Sequence, residues 1–232
     1  SKKYNLKVLE DNCESIGGTY NGSYLGVVGD VGVMSFDFGK LITTGEGGMI
    51  LTNDASIDKY CREYHDHGHE NNPKFSRGRD TKTIYGFNYR ITEMQAVVGK
   101  VQMNKLEMIL NKNKERYLVF DTGLSNLVHK REVPILGVPN YDTFIFFVDD
   151  VNKRDKVIDC LVKEGFGTKN LPDAIEWHCA YYWDHILSNI QIKRITKTRD
   201  NLKKAIALPI WLRKSVGDYK KLLPKVNHIL EN

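Results

Sequence analysis

The apolar and polar positions of this chain fall into two successive patterns. In the first, short apolar runs are separated by turn residues and acids. Leu6 to Leu9 is mostly apolar and runs into Glu10-Asp11, which predicts a buried strand ending in two carboxylates. Tyr20 to Tyr24 brackets Asn21-Gly22, a tight-turn pair that predicts a hairpin. Val31 to Phe36 and Gly48 to Thr52 predict two further strands, and Asp54 is placed to cap a helix running to about His65. Glu70 to Thr83 is a mainly polar stretch and predicts a long loop, the kind of segment that tends to carry function. From Thr92 to about Asn113, Met94, Val97, Val98, Val101, Leu106 and Ile109 recur at helical spacing and predict one long helix.

In the second pattern, beyond the long helix, strand and helix alternate over a shorter span. Thr143 to Val148 predicts a strand, Lys153 to Gly165 a helix, Ala205 to Ile210 a strand and Val216 to Leu230 a terminal helix. These make a small α+β unit, so the expected division is residues 1–111 for one domain and 112–232 for the other. The first domain has only about three strands, too few to bury an α/β layer, and the chain does not begin with Met. The expectation is a piece of a longer polypeptide.

Composition narrows the class. Of 232 residues, 41% are hydrophobic and 27% charged, as in a globular chain that builds a core. The longest apolar run, Phe144 to Val148, is the length of a strand, and the amino terminus has no apolar signal segment. A soluble, cytoplasmic protein without a membrane partner is expected. The net charge of +5 is scattered; its densest patches, Lys193 to Arg199 and Arg213-Lys214, lack the interleaved aromatics of a nucleic-acid face. Cys13, Cys61, Cys160 and Cys179 form no C-x-x-C pair, so neither a zinc ribbon nor a disulfide framework is expected. His65, His67 and His69 alternate at the end of a predicted helix, a spacing that does not gather them on one face, and no metal site is assigned there.

Chemistry concentrates in three stretches: Glu10 to Ser15, Ser35 to Lys40, and Thr43 to Gly48. A strand-end acid followed by a strand-end lysine in a glycine-rich setting meets the needs of pyridoxal phosphate (PLP). That cofactor takes an anionic partner at its pyridine nitrogen, a lysine for covalent attachment and donors for its phosphate. By themselves these features suggest PLP without requiring it, since a lysine beside glycines is commonly a turn residue.

The order of the motifs says more. Ser35-Phe36-x-x-x-Lys40-x-x-Thr43-Thr44-Gly45-Glu46-Gly47-Gly48 resembles the lysine signature of the StrS/DegT family of PLP-dependent sugar aminotransferases. Glu10-Asp11-x-x-Glu14-Ser15 with the glycine-studded hairpin through Gly29-Asp30 resembles that family's cofactor strand. Gly86-Phe87-Asn88-Tyr89-Arg90-Ile91-Thr92-Glu93-Met94 resembles its third signature. The likeness is strong over residues 1–110 and thinner beyond, where Ala207-Leu208-Pro209 and the order of elements carry it.

The resemblance implies fold type I of the PLP-dependent transferases (aspartate aminotransferase-like): part of the large α/β domain followed by a small α+β domain. It implies that Lys40 attaches the cofactor and moves the substrate proton, and that Asp11 pairs with the pyridine nitrogen. Ser35 would donate to the phosphate, and Asn88 to the phosphate held by a second subunit of a homodimer. Glu14 departs from the family, which carries Gln or His there near the ring's phenolic oxygen; an ionised carboxylate would repel that oxygen, so Glu14 is expected protonated or turned away. The implied reaction takes an amino group from L-glutamate to a keto-sugar, nucleotide-linked or, from the stretch Gly167 to His185, of the octulosonate (Kdo) type, for surface polysaccharide such as lipopolysaccharide. The aromatic crowding of that stretch suits either a sugar pocket or a core patch. A dehydratase branch with histidine in place of the lysine, and a non-catalytic regulatory member, are the alternatives; Lys40 and Asp11 both speak for transamination.

Overall fold

The structure, a computed structural model, describes residues 1–232. In chain order its main elements are β1 (Leu9–Asp11), β2 (Thr19–Tyr20), β3 (Ser23–Tyr24), β4 (Val31–Ser35), β5 (Gly48–Thr52), α1 (Ala55–Tyr64), α2 (Glu93–Met103) and α3 (Leu106–Gly123). There follow β6 (His129–Lys130), β7 (Gly137–Val138), β8 (Thr143–Phe147), α4 (Val151–Lys163), α5 (Ile175–His178), α6 (Asn189–Lys193), α7 (Thr196–Leu202), β9 (Ala205–Pro209) and α8 (Val216–Glu231). They divide into two compact units: residues 1–107 with 135–140, and residues 108–134 with 141–232.

Unit 1 is built on the sheet β1-β4-β5. β1 and β4 run parallel, with Asp11 level with Val33, and β4 and β5 run antiparallel, with Ser35 level with Gly48. The strand does end in the two acids, but it covers only Leu9–Asp11, where its ladder partners Val31 to Val33 lie, and it is largely exposed rather than buried. The Asn21-Gly22 turn closes the β2–β3 hairpin, as the sequence suggests, and β7 adds to the other side of β2. That return of residues 135–140 to unit 1 is absent from the contiguous division read in the sequence; it depends on a pairing across more than a hundred residues. Gly32 is needed in β4, since a Cβ there would overlap the Gly26 carbonyl of the turn crossing it.

Asp54 caps α1 by accepting the N–H groups of Ser56 (2.9 Å) and Ile57 (3.3 Å). Thr92 and Gln95 form a reciprocal capping box on α2. The single helix expected from Thr92 to Asn113 is two helices, separated at Asn104-Lys105. There the backbone tightens, with Lys105 N–H donating to the Gln102 carbonyl (2.9 Å). The break lets the two pieces serve different faces: α2 buries no residue, whereas α3 buries Ile109, Tyr117 and Phe120. Helical periodicity alone does not register such a change.

Unit 2 holds the antiparallel sheet β6-β8-β9 under α3, α4 and α8. Its core joins Phe120, Phe144, Phe146, Val157, Leu161, Ile206, Leu208, Tyr219, Leu222 and Val226. Tyr219 is fully buried, and its hydroxyl is satisfied on both sides, donating to the Pro209 carbonyl (3.0 Å) and accepting from Trp211 N–H (2.8 Å). The short helices α5 to α7 fall in the stretch for which the sequence reading assigned no elements. Each is too short for periodicity to reveal.

Candidate active site

The candidate site lies in unit 1, where the chain leaves β1 and β4. After Asp11, Asn12 is buried and ties the turn, its amide donating to the Leu25 carbonyl (2.9 Å). Glu10 precedes Asp11 in β1. Burial alone would raise its carboxyl, but three backbone N–H groups, from Gly29 (2.6 Å), Val28 (2.7 Å) and Gly26 (2.8 Å), hold it below the usual range. Glu10 is thus the clasp of the glycine-rich turn through residues 26–29. The sequence reading singled out Asp11 and left Glu10 without a role, although an acid pointing into a sheet requires donors, and the glycines nearby supply free N–H groups.

Asp11 accepts the Cys13 backbone N–H (3.2 Å). Its carboxyl is held below the ordinary aspartate range by hydrogen bonds from the Cys13 thiol and backbone, with a further contribution from the Lys40 charge. Burial, followed by the neighbouring Asp11, pushes the Cys13 thiol up, so it stays a protonated donor. An ionised Asp11 is the state that a pyridinium partner needs.

Lys40 sits in the connection from β4 to β5. Asp37 opens a turn there, its carbonyl accepting Lys40 N–H (3.0 Å) and its carboxylate accepting Gly39 N–H (3.1 Å). The turn is folded back on the sheet by Phe36, whose N–H donates to the Gly47 carbonyl (2.8 Å) and whose carbonyl accepts Thr44 N–H (2.9 Å). Lys40 Nζ is ion-paired with the Glu14 carboxylate, the lysine side chain 17% exposed and the glutamate 50%. Glu14 is itself placed through its backbone, its carbonyl accepting the side-chain amide of Asn140 (2.9 Å). Asn140 lies 126 residues away in sequence, and nothing local points to it.

Ser35 ends β4, and its Oγ accepts Asp37 N–H (3.3 Å), leaving the hydroxyl hydrogen available for donation. The structure therefore draws Asp11, Glu14 and Lys40 together, with Ser35 at the head of the same loop. Asn88 is elsewhere in unit 1, in a bridge with Asp66. The segment around it is zipped to the end of α1: Phe87 N–H donates to the Tyr64 carbonyl (2.8 Å) and Tyr89 N–H to the His65 carbonyl (2.9 Å). Asp66 is buried; desolvation would raise its carboxyl, but hydrogen bonding from Arg90 and the charge of Arg77 (2.8 Å) hold it down. This Asp66-Arg77-Arg90 cluster is a second feature the sequence left unread. The three histidines have separate engagements: His65 Nδ1 meets the Arg62 carbonyl (2.6 Å) and His69 Nδ1 meets Asp80 (2.8 Å), while His67 takes a left-handed turn at φ 58°. Gly68 follows with φ 82°, where a Cβ would overlap the Ile84 carbonyl.

The chain belongs to the DegT/DnrJ/EryC1/StrS aminotransferase family, whose profile matches residues 1–226. It is 29% identical over 194 residues to a GDP-perosamine synthase of Caulobacter vibrioides, covering 82% of this chain and 50% of that protein. It is 30% identical over 215 residues to a pleiotropic regulatory protein of Geobacillus stearothermophilus, covering 91% of this chain and 55% of that one. Among solved structures, the PMP form of the putative sugar aminotransferase Spr1654 from Streptococcus pneumoniae superposes with a TM-score of 0.81 at 19% identity, covering 97% of this chain and 57% of that one. The fold is thus that of the PLP-dependent sugar aminotransferases. The chain spans about half the length of these relatives.

Proposed function

We propose that the intact protein is a PLP-dependent aminotransferase that carries an amino group from L-glutamate to the carbonyl of a sugar, nucleotide-linked or of the octulosonate type, in surface-polysaccharide biosynthesis. The observation that carries this reading is the joining of Asp11, kept ionised by its hydrogen bonds, with Lys40 at one end of the β1-β4 pair. Family membership supports it, as does the retention of lysine rather than histidine at position 40.

These residues fit the cofactor. Asp11 would hold the protonated pyridine nitrogen, Lys40 would be the attachment point, and the Ser35 hydroxyl has its hydrogen to offer the phosphate. When bound, PLP supplies an electron sink that makes the substrate's amine-bearing carbon acidic. Lys40 Nζ would have to be neutral to attach and to act as a base, and because an ion pair favours the charged amine, the pair with Glu14 would have to part when the cofactor is bound. With the cofactor bound, the neutral Lys40 amine would be the group placed to hold and return the substrate carbon's proton. Asn88, held with Asp66 away from Lys40 in sequence and bonding, is assigned to the phosphate of a second subunit's cofactor in a homodimer. The exposed apolar side chains of α2, Met94, Val97 and Val101 among them, support a buried role for that helix in such an assembly. The cytoplasm is the compartment proposed. No helix is long and apolar enough to cross a membrane.

The name of the Geobacillus relative raises a second reading, a regulator without turnover. One experiment separates the two. Borohydride reduction of the intact protein with PLP should fix the cofactor on the peptide containing Lys40, and Lys40→Ala should lose that label along with about 10³-fold or more of the transamination rate. Label on another lysine, or full turnover in Lys40→Ala, would overturn the assignment.

A further inference from the structure

We infer that Asp66 is a positioning residue for the cofactor phosphate: with Arg90 it fixes the stretch of chain that presents Asn88. The inference rests on the reading above, in which Asn88 donates to the phosphate of a second subunit's cofactor. It adds the group that sets where Asn88 stands.

Asn88 is exposed, and its side-chain amide makes no hydrogen bond within the chain. A free surface amide binds an outside group well only when its backbone is already held, because ordering it on contact costs entropy. Here the backbone is held from both sides. Besides the bonds that zip Phe87 and Tyr89 to the end of α1, the Phe87 carbonyl accepts His67 N–H (3.0 Å). Gly86 lets the two segments touch, since a Cβ there would lie 2.5 Å from both the Tyr64 carbonyl and the Gly68 nitrogen.

These bonds end at Tyr89, where the chain departs for the Thr92 cap of α2. Asp66 closes that gap. It stands opposite Asn88 in the bridge, and its carboxylate accepts the Arg90 guanidinium two residues further on. Arg77, from the polar loop before, bonds the same carboxylate oxygen (2.8 Å). A buried carboxylate is a costly staple, because its desolvation has to be offset by both guanidiniums. What it gives in return is direction: a guanidinium bonded to a fixed carboxylate holds its chain at a set distance and angle. One carboxylate against two guanidiniums also leaves the neighbourhood of Asn88 positive, so charge and position have to be told apart by experiment.

The test is the affinity of the intact protein for PLP and for pyridoxal, which lacks the phosphate, each titrated by its absorbance. Asp66→Asn should raise the PLP dissociation constant about tenfold and leave that of pyridoxal within about twofold. Asn88→Ala should do the same, and the double variant should be no weaker than Asn88→Ala alone, because both changes remove one contact. Arg90→Gln, at a partly exposed side chain, should match Asp66→Asn and decides the matter if that variant does not fold. Arg77→Gln removes an equal charge without touching the tether to residue 90, and should cost less than about threefold. An unchanged PLP affinity, or equal weakening of PLP and pyridoxal, overturns the inference. Tighter PLP binding in Asp66→Asn, or equal losses in Arg77→Gln and Arg90→Gln, would mean that the cluster works by charge and overturns it too. Failure of the unaltered protein to take up PLP sinks the proposed function itself. Normal uptake and labelling of Lys40, with the PLP-to-pyridoxal ratio unmoved by these variants, sinks only the positioning role.

Discussion

The two units spend their residues differently. Unit 2 encloses sixteen buried side chains in one cluster around Phe120 and Tyr219, with helices laid over an antiparallel sheet. Unit 1 encloses three, Ile16, Phe36 and Ile42, and leaves Leu9, Met49 and Ile50 exposed on its strands. What unit 1 has in place of a deep core is polar fastening: the Glu10 clasp, the Asn12 tie, the Asp37 turn and the Asp66-Arg77-Arg90 cluster. Unit 1 holds the proposed site. Groups that are to meet a cofactor and a substrate there would be fixed by hydrogen bonds at strand ends rather than by apolar packing, since an unpaired buried charge is neutralised by desolvation.

If that division is right, substitutions should separate activity from stability by unit. The largest effect is expected from Asp11→Asn in the intact enzyme. The amide keeps the shape but not the charge, so cofactor should still bind while turnover falls about 10²–10⁴-fold and the melting temperature hardly moves. Turnover close to wild type would mean that another acid holds the nitrogen. Next, Phe120→Ala should cost about 3–5 kcal/mol in a denaturant titration, because it empties the centre of unit 2 where no water or neighbour can compensate. A loss under about 1 kcal/mol would show that the core of unit 2 is no tighter than that of unit 1.

A smaller effect should appear with pH. Burial pushes the Tyr219 hydroxyl up to about 12, against an ordinary tyrosine value of 10.0. The folded state therefore favours the neutral phenol, and its contribution is complete below pH 10. It should decline by about 2–3 kcal/mol as pH rises from the unfolded value through the folded one. Tyr219→Phe removes that group's share of the alkaline dependence, at the cost of leaving Trp211 N–H without its acceptor. An unchanged alkaline slope in Tyr219→Phe would place the titration elsewhere. The smallest effect belongs to an exposed fastening of unit 1: Asp54→Ala should lower stability by about 1 kcal/mol through the lost α1 cap, measured by thermal denaturation, with Asp54→Ser restoring most of it.

Much of this was legible in the chain. The strands at residues 31–35 and 48–52, the hairpin at Asn21-Gly22, the Asp54 cap and the β8, α4, β9 and α8 series follow from local patterns, because period, turn chemistry and capping act over a few residues. The three motifs around Asp11, Lys40 and Asn88 stand in contiguous stretches and could be read as such. The sequence also marked Glu14 as a departure.

Only tertiary structure settled what depends on distant partners. It turned Glu14 onto Lys40 and fixed its backbone from Asn140, gave Glu10 its three N–H donors, and buried Asp66 between Arg77 and Arg90. It also broke the long helix at Asn104-Lys105 and returned residues 135–140 to the first unit. For Glu10 and Asp66 the deciding energy is a desolvated charge, and for residues 135–140 a strand edge, that must find its partner in space, and no window of neighbouring residues contains that partner.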